Sequence, residues 1–409
     1  MTDNSPLRSR ASSESRAPAV SRHLVPVWWL VLMASPVAAA NNATVLILGD
    51  IGAALDTTAA AASWLAAVFA LVLAVATPLQ AALMRHHGQR AVLWTSAALI
   101  AAGTLIVVLS PWLPFAIAGR ATQAAGGAGL NVLAIALAGS ARRIGAISAG
   151  MGLFGAVSPL IGTQLAATVS WRVALSMLAI TLIAVPVVNR YVTQETSKTA
   201  RFDAWGALLV AVLSGSVVIF ASNPLPAMGA VTISIILLVV HVRRRPKGYV
   251  PVSTIRSGQF VTATSLTLAL SMGYFTLLFV IPQLLIARSD WTKDAAAAGQ
   301  LAAMVAASLA TLVFTFIAAR FSRSAVRTAL LTAGALAVLT AIFASAPIFL
   351  LIGIFLALFA ATSANATQVA TATADVPEHE RPAAIGLFTL IYLLGGAIGP
   401  ALASVLVLS

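Results

Sequence analysis

The sequence predicts an all-α membrane protein that crosses the bilayer many times. Of its 409 residues, 60% are hydrophobic and only 9% are charged, whereas soluble domains carry about 25% charged residues. Apolar runs follow one another along almost the whole chain. Because lipid offers no hydrogen-bond partner to the backbone, such runs fold as helices. The absence of cysteine excludes a disulfide framework, a thiol nucleophile and a Cys-based metal site.

The apolar runs predict thirteen membrane-spanning helices, each of about 20 residues or more. The predicted spans are Leu24–Leu48, Ala60–Met84, Ala91–Leu109, Pro111–Leu137, Ile144–Val169, Val173–Val192, Ala204–Ser222, Ala227–Val242, Phe260–Ala287, Ala295–Ala318, Val326–Phe343, Pro347–Thr371 and Ala383–Leu408.

The basic residues predict how these helices are oriented. Most of the 24 Lys and Arg residues lie in alternate connections, on the same side as the N-terminus, and only Arg172, Arg288 and Lys293 lie on the other side. Cytoplasmic loops of membrane proteins carry such an excess. We therefore expect a cytoplasmic N-terminus and an external C-terminus in the plasma (inner) membrane of a bacterium. The net charge of +13 follows from this topology, so we expect no nucleic-acid partner.

An internal repeat predicts two pseudo-symmetric helical bundles. Residues 81–94 align with 318–331, and the glycine-rich run 145–163 is echoed by 386–403. Parallel repeats of this kind occur in one large class of transporters. The predicted organisation is a disordered cytoplasmic tail at 1–23, a six-helix bundle at 24–192, a linker with two extra helices at 193–245, a cytoplasmic loop at 246–258 and a second bundle of five spans at 259–409.

Two stretches of the first predicted bundle resemble motifs of the major facilitator superfamily. The connection after the second span is similar to G-x-L-A-D-R-x-G-R-R, with matches at Leu83, Gly88 and Arg90 and with Arg85 in place of the Asp. In that family the Asp contributes to a contact that latches the two halves. The fourth span, with Arg120, Gln123, Gly126 and Gly127, is similar to the family's R-x-x-Q-G-x-G pattern.

The fifth span resembles the family's antiporter motif, G-x-x-x-G-P-x-x-G-G. Pro159 and Gly162 match this motif, and Ser158 replaces the glycine before the proline. The second copy of this run, 386–403, matches G-x-x-x-G-P at Gly395, Gly399 and Pro400. The resemblance therefore implies conformational roles, in hinges or loop motifs, for Gly88, Arg90, Gly155, Ser158, Pro159, Gly162, Gly395, Gly399 and Pro400.

The two extra spans resemble those of the fourteen-helix drug:proton antiporters. Phe202-Asp203 with Gly206-Ala207 is similar to the entry of that helix pair. Such a protein has six spans after Arg256, and this chain has five predicted ones, so we expect it to lack the last, peripheral helix. The resemblance implies the major facilitator fold and a secondary transporter without a resident cofactor, with the proton gradient as its energy source.

Ionisable residues are scarce inside the predicted spans. None of the 11 acidic residues lies well inside one, and Asp50, at a span edge, is the best candidate for protonation. Arg120 is the one charge placed within a span, where it costs about 2.5–3.5 kcal/mol to insert. Two interpretations of Arg120 stay open. It is a structural arginine bonded to backbone carbonyls and Gln123, or a cavity-facing cation that takes part in coupling or binds an anionic group of the substrate.

Uncharged polar and aromatic residues within the spans predict the substrate cavity. Any one of them can instead form an interhelical hydrogen bond, but as a set they suit amphipathic small molecules better than inorganic ions. Together with Arg120, Gln123 and Asp50, the candidate substrate and coupling residues are Asn41, Asn42, Asn131, Tyr274, Gln283, Asn365, Gln368 and Tyr392.

The sequence contains no catalytic, metal-binding or nucleotide-binding motif, so we expect neither an enzyme nor an ATP-driven pump. It predicts a secondary transporter that performs proton-coupled efflux of amphipathic small molecules or drugs by alternating access. Two alternatives remain, an exporter of a specific anionic metabolite that binds at Arg120 and a degraded relative that does not transport. The expected partners are the lipid bilayer and a small-molecule substrate, and the expected state is a monomer.

Overall fold

The structure is a computed structural model, and it consists of helices joined by turns. The tail 1–23 and parts of the linker 193–245 and of the loop 246–258 lie outside the described residues, and the residues described contain no β-strand. The described ranges are 24–139, 141–192, 203–222, 224–245, 249–250, 252–289, 291–318, 320–344, 346–377 and 380–406.

The first half of the chain forms eight α-helices and one 3₁₀-helix, which we call the first bundle. Two of its predicted spans are interrupted: the first breaks into α1 and α2, and the sixth consists of two short α-helices around the 3₁₀-helix. The elements are α1 (Val27–Asn42), α2 (Leu48–Ala54), α3 (Ala59–Ala62), α4 (Trp64–Val108), α5 (Leu113–Ala138), α6 (Ala141–Thr168), α7 (Trp171–Leu175), the 3₁₀-helix (Met177–Ala184) and α8 (Val185–Val188).

The rest of the chain forms two linker helices, a short connecting helix and five long helices. We call the five long helices, α12 to α16, the second bundle. The elements are α9 (Ala204–Ser222), α10 (Pro224–Arg244), α11 (Val252–Arg256), α12 (Gly258–Ser289), α13 (Lys293–Ala318), α14 (Arg323–Phe343), α15 (Pro347–Ala372) and α16 (Arg381–Leu406).

Within the described residues, ten helices are long and apolar enough to cross a membrane. This number is smaller than the thirteen spans that the sequence predicts. The three remaining predicted spans correspond to the α1–α2 segment, the α7–α8 segment and α9, which are shorter or interrupted. The chain is thus an integral membrane protein built from helices, and thirteen crossings stay a prediction.

The two bundles repeat the same packing and meet along two seams. In the first bundle α6 packs against α1, and in the second α16 packs against α12. The seams between bundles are formed by α4 with α16 and by α6 with α13. Linker helix α9 lies on both α4 and α16, where Val218 joins a buried apolar cluster with Ala67, Ala70, Ala397 and Ala401.

Two of the predicted motif glycines lie at close contacts with neighbouring backbone or side-chain atoms. A Cβ atom on Gly162 of α6 would lie 2.6 Å from the carbonyl oxygen of Ala43, and one on Gly399 of α16 would lie 2.5 Å from Cβ of Phe275 in α12. Real side chains do not approach this closely. Small residues at such positions let membrane helices pack backbone to backbone.

The loop-motif residue Gly88 lies at a sharp bend within α4. Its φ of 83° and ψ of 170° belong to a region that is essentially accessible only to glycine. This bend reverses the chain between the second and third predicted spans. We call this side of the molecule the Gly88 end, and the opposite side, where α1 leads into α2, the Asp50 end. Arg90 follows the bend and is exposed.

Gly88→Ala is expected to destabilise the protein by about 1–3 kcal/mol, because a Cβ atom strains this backbone conformation. The control is Gly229→Ala in α10, where a Cβ atom would meet nothing within 4 Å. Heat unfolding of the purified proteins in detergent measures the difference. Equal unfolding temperatures for the two variants would contradict the strain at Gly88.

Candidate functional site

Four of the predicted cavity residues come together where the two bundles meet, and we call them the central cluster: Asn41, Asn42, Tyr274 and Tyr392. Asn41 Nδ2 donates to Asn42 Oδ1 at 3.1 Å, and the side chain of Asn42 lies beside the hydroxyl of Tyr274. The rings of Tyr274 and Tyr392 both contact Phe275, with centroid separations of 4.7 Å and 6.5 Å. Residues 232 positions apart in the sequence thus form one site.

The central cluster is neutral and has an apolar cavity beside it. The cavity measures about 240 Å³ and lies between α12, α14 and α15, with Tyr274 in its wall and Gly273 and Gly334 among its lining residues. Ligand pockets usually enclose about 300–1,000 Å³. The cavity is smaller than this range, shares Tyr274 with the cluster and opens toward the exposed side chains of Leu331 and Val338 in α14.

Arg120 is fully buried and bonds to the first bundle's own backbone. The last four carbonyl groups of a helix lack partners within it. At the end of α1, three of these carbonyls accept hydrogen bonds from residues of the following turn, 43–47. The fourth, that of Ala40, accepts a hydrogen bond from Arg120 Nη2 at 2.7 Å. Arg120 Nη1 donates to Gln123 Oε1 at 3.0 Å.

Gln123 extends the same contact network to the end of α7. Its Nε2 donates to the carbonyl oxygen of Leu175 at 3.3 Å, and Arg120 Nη1 lies 3.5 Å from that oxygen. The guanidinium also lies 4.0 Å from the centre of the Phe69 ring. Arg120 and Gln123 therefore hold the ends of both interrupted spans. These contacts agree with the interpretation of Arg120 as a structural arginine bonded to backbone carbonyls and Gln123.

Asp50 lies in an ion pair that joins the two bundles. Lys293 Nζ at the start of α13 donates to Asp50 Oδ1 at 2.8 Å, and each side chain is about half exposed, 52% and 48%. The next residue, Asp294, accepts from Gln164 Nε2 of α6 at 3.0 Å. The first two residues of α13 thus bind two different helices of the first bundle, and we call these two contacts the outer clasp.

The other predicted polar residues lie away from the central cluster. Gln368 is buried in α15 and accepts from Arg327 Nε of α14 at 3.4 Å. Asn131 is partly buried in α5, and its Oδ1 has no partner among the described residues. Gln283 and Asn365 are partly buried within the second bundle, on α12 and α15.

Sequence reasoning missed two buried amides. Gln80 Nε2 of α4 donates to the carbonyl of Ala125 at 3.1 Å, and Gln300 Nε2 of α13 donates to that of Leu278 at 3.2 Å. Both residues lie within predicted spans, so the rule that selected the other polar residues also applies to them.

Asp203 ties the two linker helices together at the Gly88 end. His241 Nε2 of α10 lies 2.9 Å from its carboxylate, and the backbone N–H groups of Gly206 and Tyr249 donate to it at 3.1 and 3.0 Å. Burial raises the pKa of Asp203, but these hydrogen bonds lower it by more than burial raises it. The pKa of Asp203 therefore lies below its ordinary value. The stabilisation is therefore present at neutral pH and lost as the pH falls through this pKa.

Comparison with known proteins identifies the family. The sequence profile described as Major Facilitator Superfamily matches residues 28–400. The chain belongs to the major facilitator superfamily. This membership confirms the resemblance seen in the loop and span motifs, and it supports a non-enzymatic membrane transporter.

Two relatives are similar to this chain over part of their length. The uncharacterized MFS-type transporter YvkA of Bacillus subtilis (strain 168) is 28% identical over 252 residues, which are 58% of this chain and 56% of that protein. The MFS-type transporter ppz2 of Metarhizium majus (strain ARSEF 297) is 32% identical over 139 residues, which are 32% of this chain and 24% of that protein. The matches thus span about half or less of these relatives.

Solved structures of transporters share the fold. A peptide transporter POT in complex with sulfate superimposes with a TM-score of 0.67 at 13% identity, covering 92% of this chain and 88% of that one. A POT family transporter in complex with 5-aminolevulinic acid gives a TM-score of 0.63 at 13% identity, with 91% and 88% coverage. At this identity the likeness concerns the fold alone.

Arg120→Gln is expected to lower the stability of the protein by about 1.5–3 kcal/mol, the range for hydrogen bonds to charged groups, because the carbonyl at the end of α1 loses its donor. Heat unfolding in detergent tests this. Arg323→Gln is the control, since Arg323 is exposed and contacts Gln259 on the surface. An Arg120→Gln variant as stable as the parent would show that these carbonyls need no charged donor.

Proposed function

We propose that the protein is a secondary active transporter that exports amphipathic small molecules by proton-coupled alternating access. The observation that carries the proposal is the central cluster, in which Asn42 of the first bundle lies beside Tyr274 of the second. Transporters of this architecture bind substrate near the midplane, between the repeats. Neutral hydrogen-bonding groups beside an apolar cavity suit a molecule with one polar and one apolar part.

The contacts of Arg120 favour this proposal over export of an anionic metabolite. Its guanidinium is occupied by the carbonyl of Ala40 and by Gln123, and its side chain is 0% exposed. We therefore place substrate recognition at the central cluster. In the same proposal the chain crosses the plasma membrane thirteen times as a monomer with its N-terminus in the cytoplasm, and its closest functional class is that of the fourteen-helix drug:proton antiporters.

The proposed energy source is the proton gradient. One elementary charge moved through 100 mV supplies about 2.3 kcal/mol, which corresponds to about a 50-fold concentration ratio of substrate. Asp50 remains the proposed protonation site, because the described spans contain no buried acid and Asp50 lies at the junction of the bundles.

Proteoliposomes containing the protein are expected to move amphipathic dyes faster when a pH gradient is imposed. Tyr392→Phe and Asn41→Ala should reduce this flux, and Thr332→Ala, on the exposed face of α14, should leave it unchanged. Gradient-independent flux would refute proton coupling. The absence of flux across a broad panel, with unchanged drug tolerance in a pump-deleted host, would favour a relative that does not transport.

The outer clasp is expected to hold the Asp50 end closed. Exposed ion pairs contribute about 0.2–1 kcal/mol, so Lys293→Ala should raise the open population about 1.4- to 5-fold. Because the chain contains no cysteine, Leu46→Cys introduces a single reporter at a site that is 3% exposed. The rate at which a membrane-impermeant maleimide labels this cysteine measures the opening.

Two further variants control this measurement. Combining Asp50→Ala with Lys293→Ala should add nothing to the labelling rate, because the single variant already removes the ion pair. Arg323→Ala, at the opposite end of the second bundle, should leave the rate at the parental value. If Lys293→Ala leaves the labelling rate unchanged, the ion pair of the outer clasp does not hold the Asp50 end closed.

A further inference from the structure

A proline in α6 releases one backbone carbonyl in the middle of the membrane-spanning region. Pro159 has no N–H group, so the carbonyl four residues earlier, that of Gly155, loses its partner within the helix. Because lipid cannot replace that partner, the carbonyl needs a donor from elsewhere in the protein.

Two side chains supply this donor. Asn42 Nδ2 of α1 lies 3.1 Å from the Gly155 oxygen, and Ser158 Oγ donates to the same oxygen at 3.0 Å. Asn42 and Ser158 are 6% and 0% exposed. Since Asn41 Nδ2 donates to Asn42 Oδ1, the amide of Asn42 is oriented with its N–H groups toward α6.

The second bundle contains the same arrangement. Pro282 in α12 releases the carbonyl of Leu278, and Gln300 Nε2 of α13 donates to it at 3.2 Å. Gln300 is fully buried, at 0% exposure. In both bundles a neutral carboxamide from another helix thus completes a proline kink. A carboxamide carries N–H donors at every pH, whereas a carboxyl group can donate only when it is protonated.

We propose that Asn42 is a positioning residue that fixes the proline kink of α6 through the Gly155 carbonyl, beside Tyr274 of the second bundle. Because its donor is an amide, this contact is independent of pH. Because Asn42 also lies beside Tyr274, a change at the central cluster reaches the kink through one side chain. The kink contact itself contains no titratable group. The inference requires no substrate and goes beyond the proposed transport activity.

A double-mutant cycle on the purified full-length protein tests the connection by heat unfolding. Asn42→Ala should lower the unfolding temperature, because the Gly155 carbonyl loses its donor from another helix and keeps only Ser158 Oγ. Pro159→Ala restores the N–H group of α6, so most of the loss caused by Asn42→Ala should disappear in that background. Additive effects of the two substitutions would overturn the proposal, since independent sites add.

The two proline kinks provide matched controls for this cycle. Gln300→Ala with Pro282→Ala should show the same coupling. The crossed combination of Asn42→Ala with Pro282→Ala should be additive, because these residues share no carbonyl. Coupling of equal size in the crossed combination would show a general effect of proline replacement and would overturn the proposal.

The pH dependence of Asn42→Asp separates a donor from a residue that merely fills space. At low pH the protonated carboxyl can donate to Gly155, so this variant should unfold near the parental temperature, above Asn42→Ala. As the pH rises and the carboxyl ionises, the advantage should be lost. In the Pro159→Ala background the low-pH advantage over Asn42→Ala should vanish. If the two variants coincide at low pH with Pro159 intact, Asn42 is not the donor that holds the kink.

Discussion

The hydrocarbon interior of a bilayer contains no partner for a backbone carbonyl, so each carbonyl that an interruption exposes must be satisfied by the protein. Arg120 serves the end of α1 at Ala40, and Gln123 serves the end of α7 at Leu175. Asn42 serves the carbonyl released by Pro159. The contacts at the broken helices, at the buried Arg120 and at Asn42 therefore have one physical cause, which is that backbone carbonyls need a hydrogen-bond donor. Several buried polar residues of the described chain thus lie where the backbone is incomplete, and the bundle junction is one of those places.

The sequence predicted the class of fold and the family because both depend on local patterns, namely apolar runs and short motifs. It also identified the members of the central cluster, since a polar residue in an apolar run is visible without a structure. It did not predict that the first span breaks after Asn42. Hydropathy averages over about 20 residues and remains high across that break, and the group that stabilises it, Arg120, lies about 80 positions away. Which polar residues share a site depends on such long-range contacts.

The contacts between the bundles are neutral at the centre of the junction and charged at the Asp50 end. The centre of the bundle junction uses hydrogen bonds between neutral groups, as between Asn41 and Asn42 and between Asn42 and the Gly155 carbonyl. Ion pairs between the bundles are found at the Asp50 end, where Lys293 and Asp50 are half exposed and screened by solvent. Such pairs contribute little individually and so can break and re-form easily. The core contacts keep their geometry at any pH, and the contacts at the rim respond to solution conditions.

Helix α9 gives the molecule a mechanical asymmetry. It covers the seam between α4 and α16 and buries Val218 against both bundles, so parting the bundles along that seam would expose apolar packing on three helices. The seam between α6 and α13 carries the outer clasp at its Asp50 end. That seam also contains apolar packing between Ala156 of α6 and Met304 of α13. Helix α9 therefore reinforces one seam of the bundle junction, and the outer clasp reinforces the other.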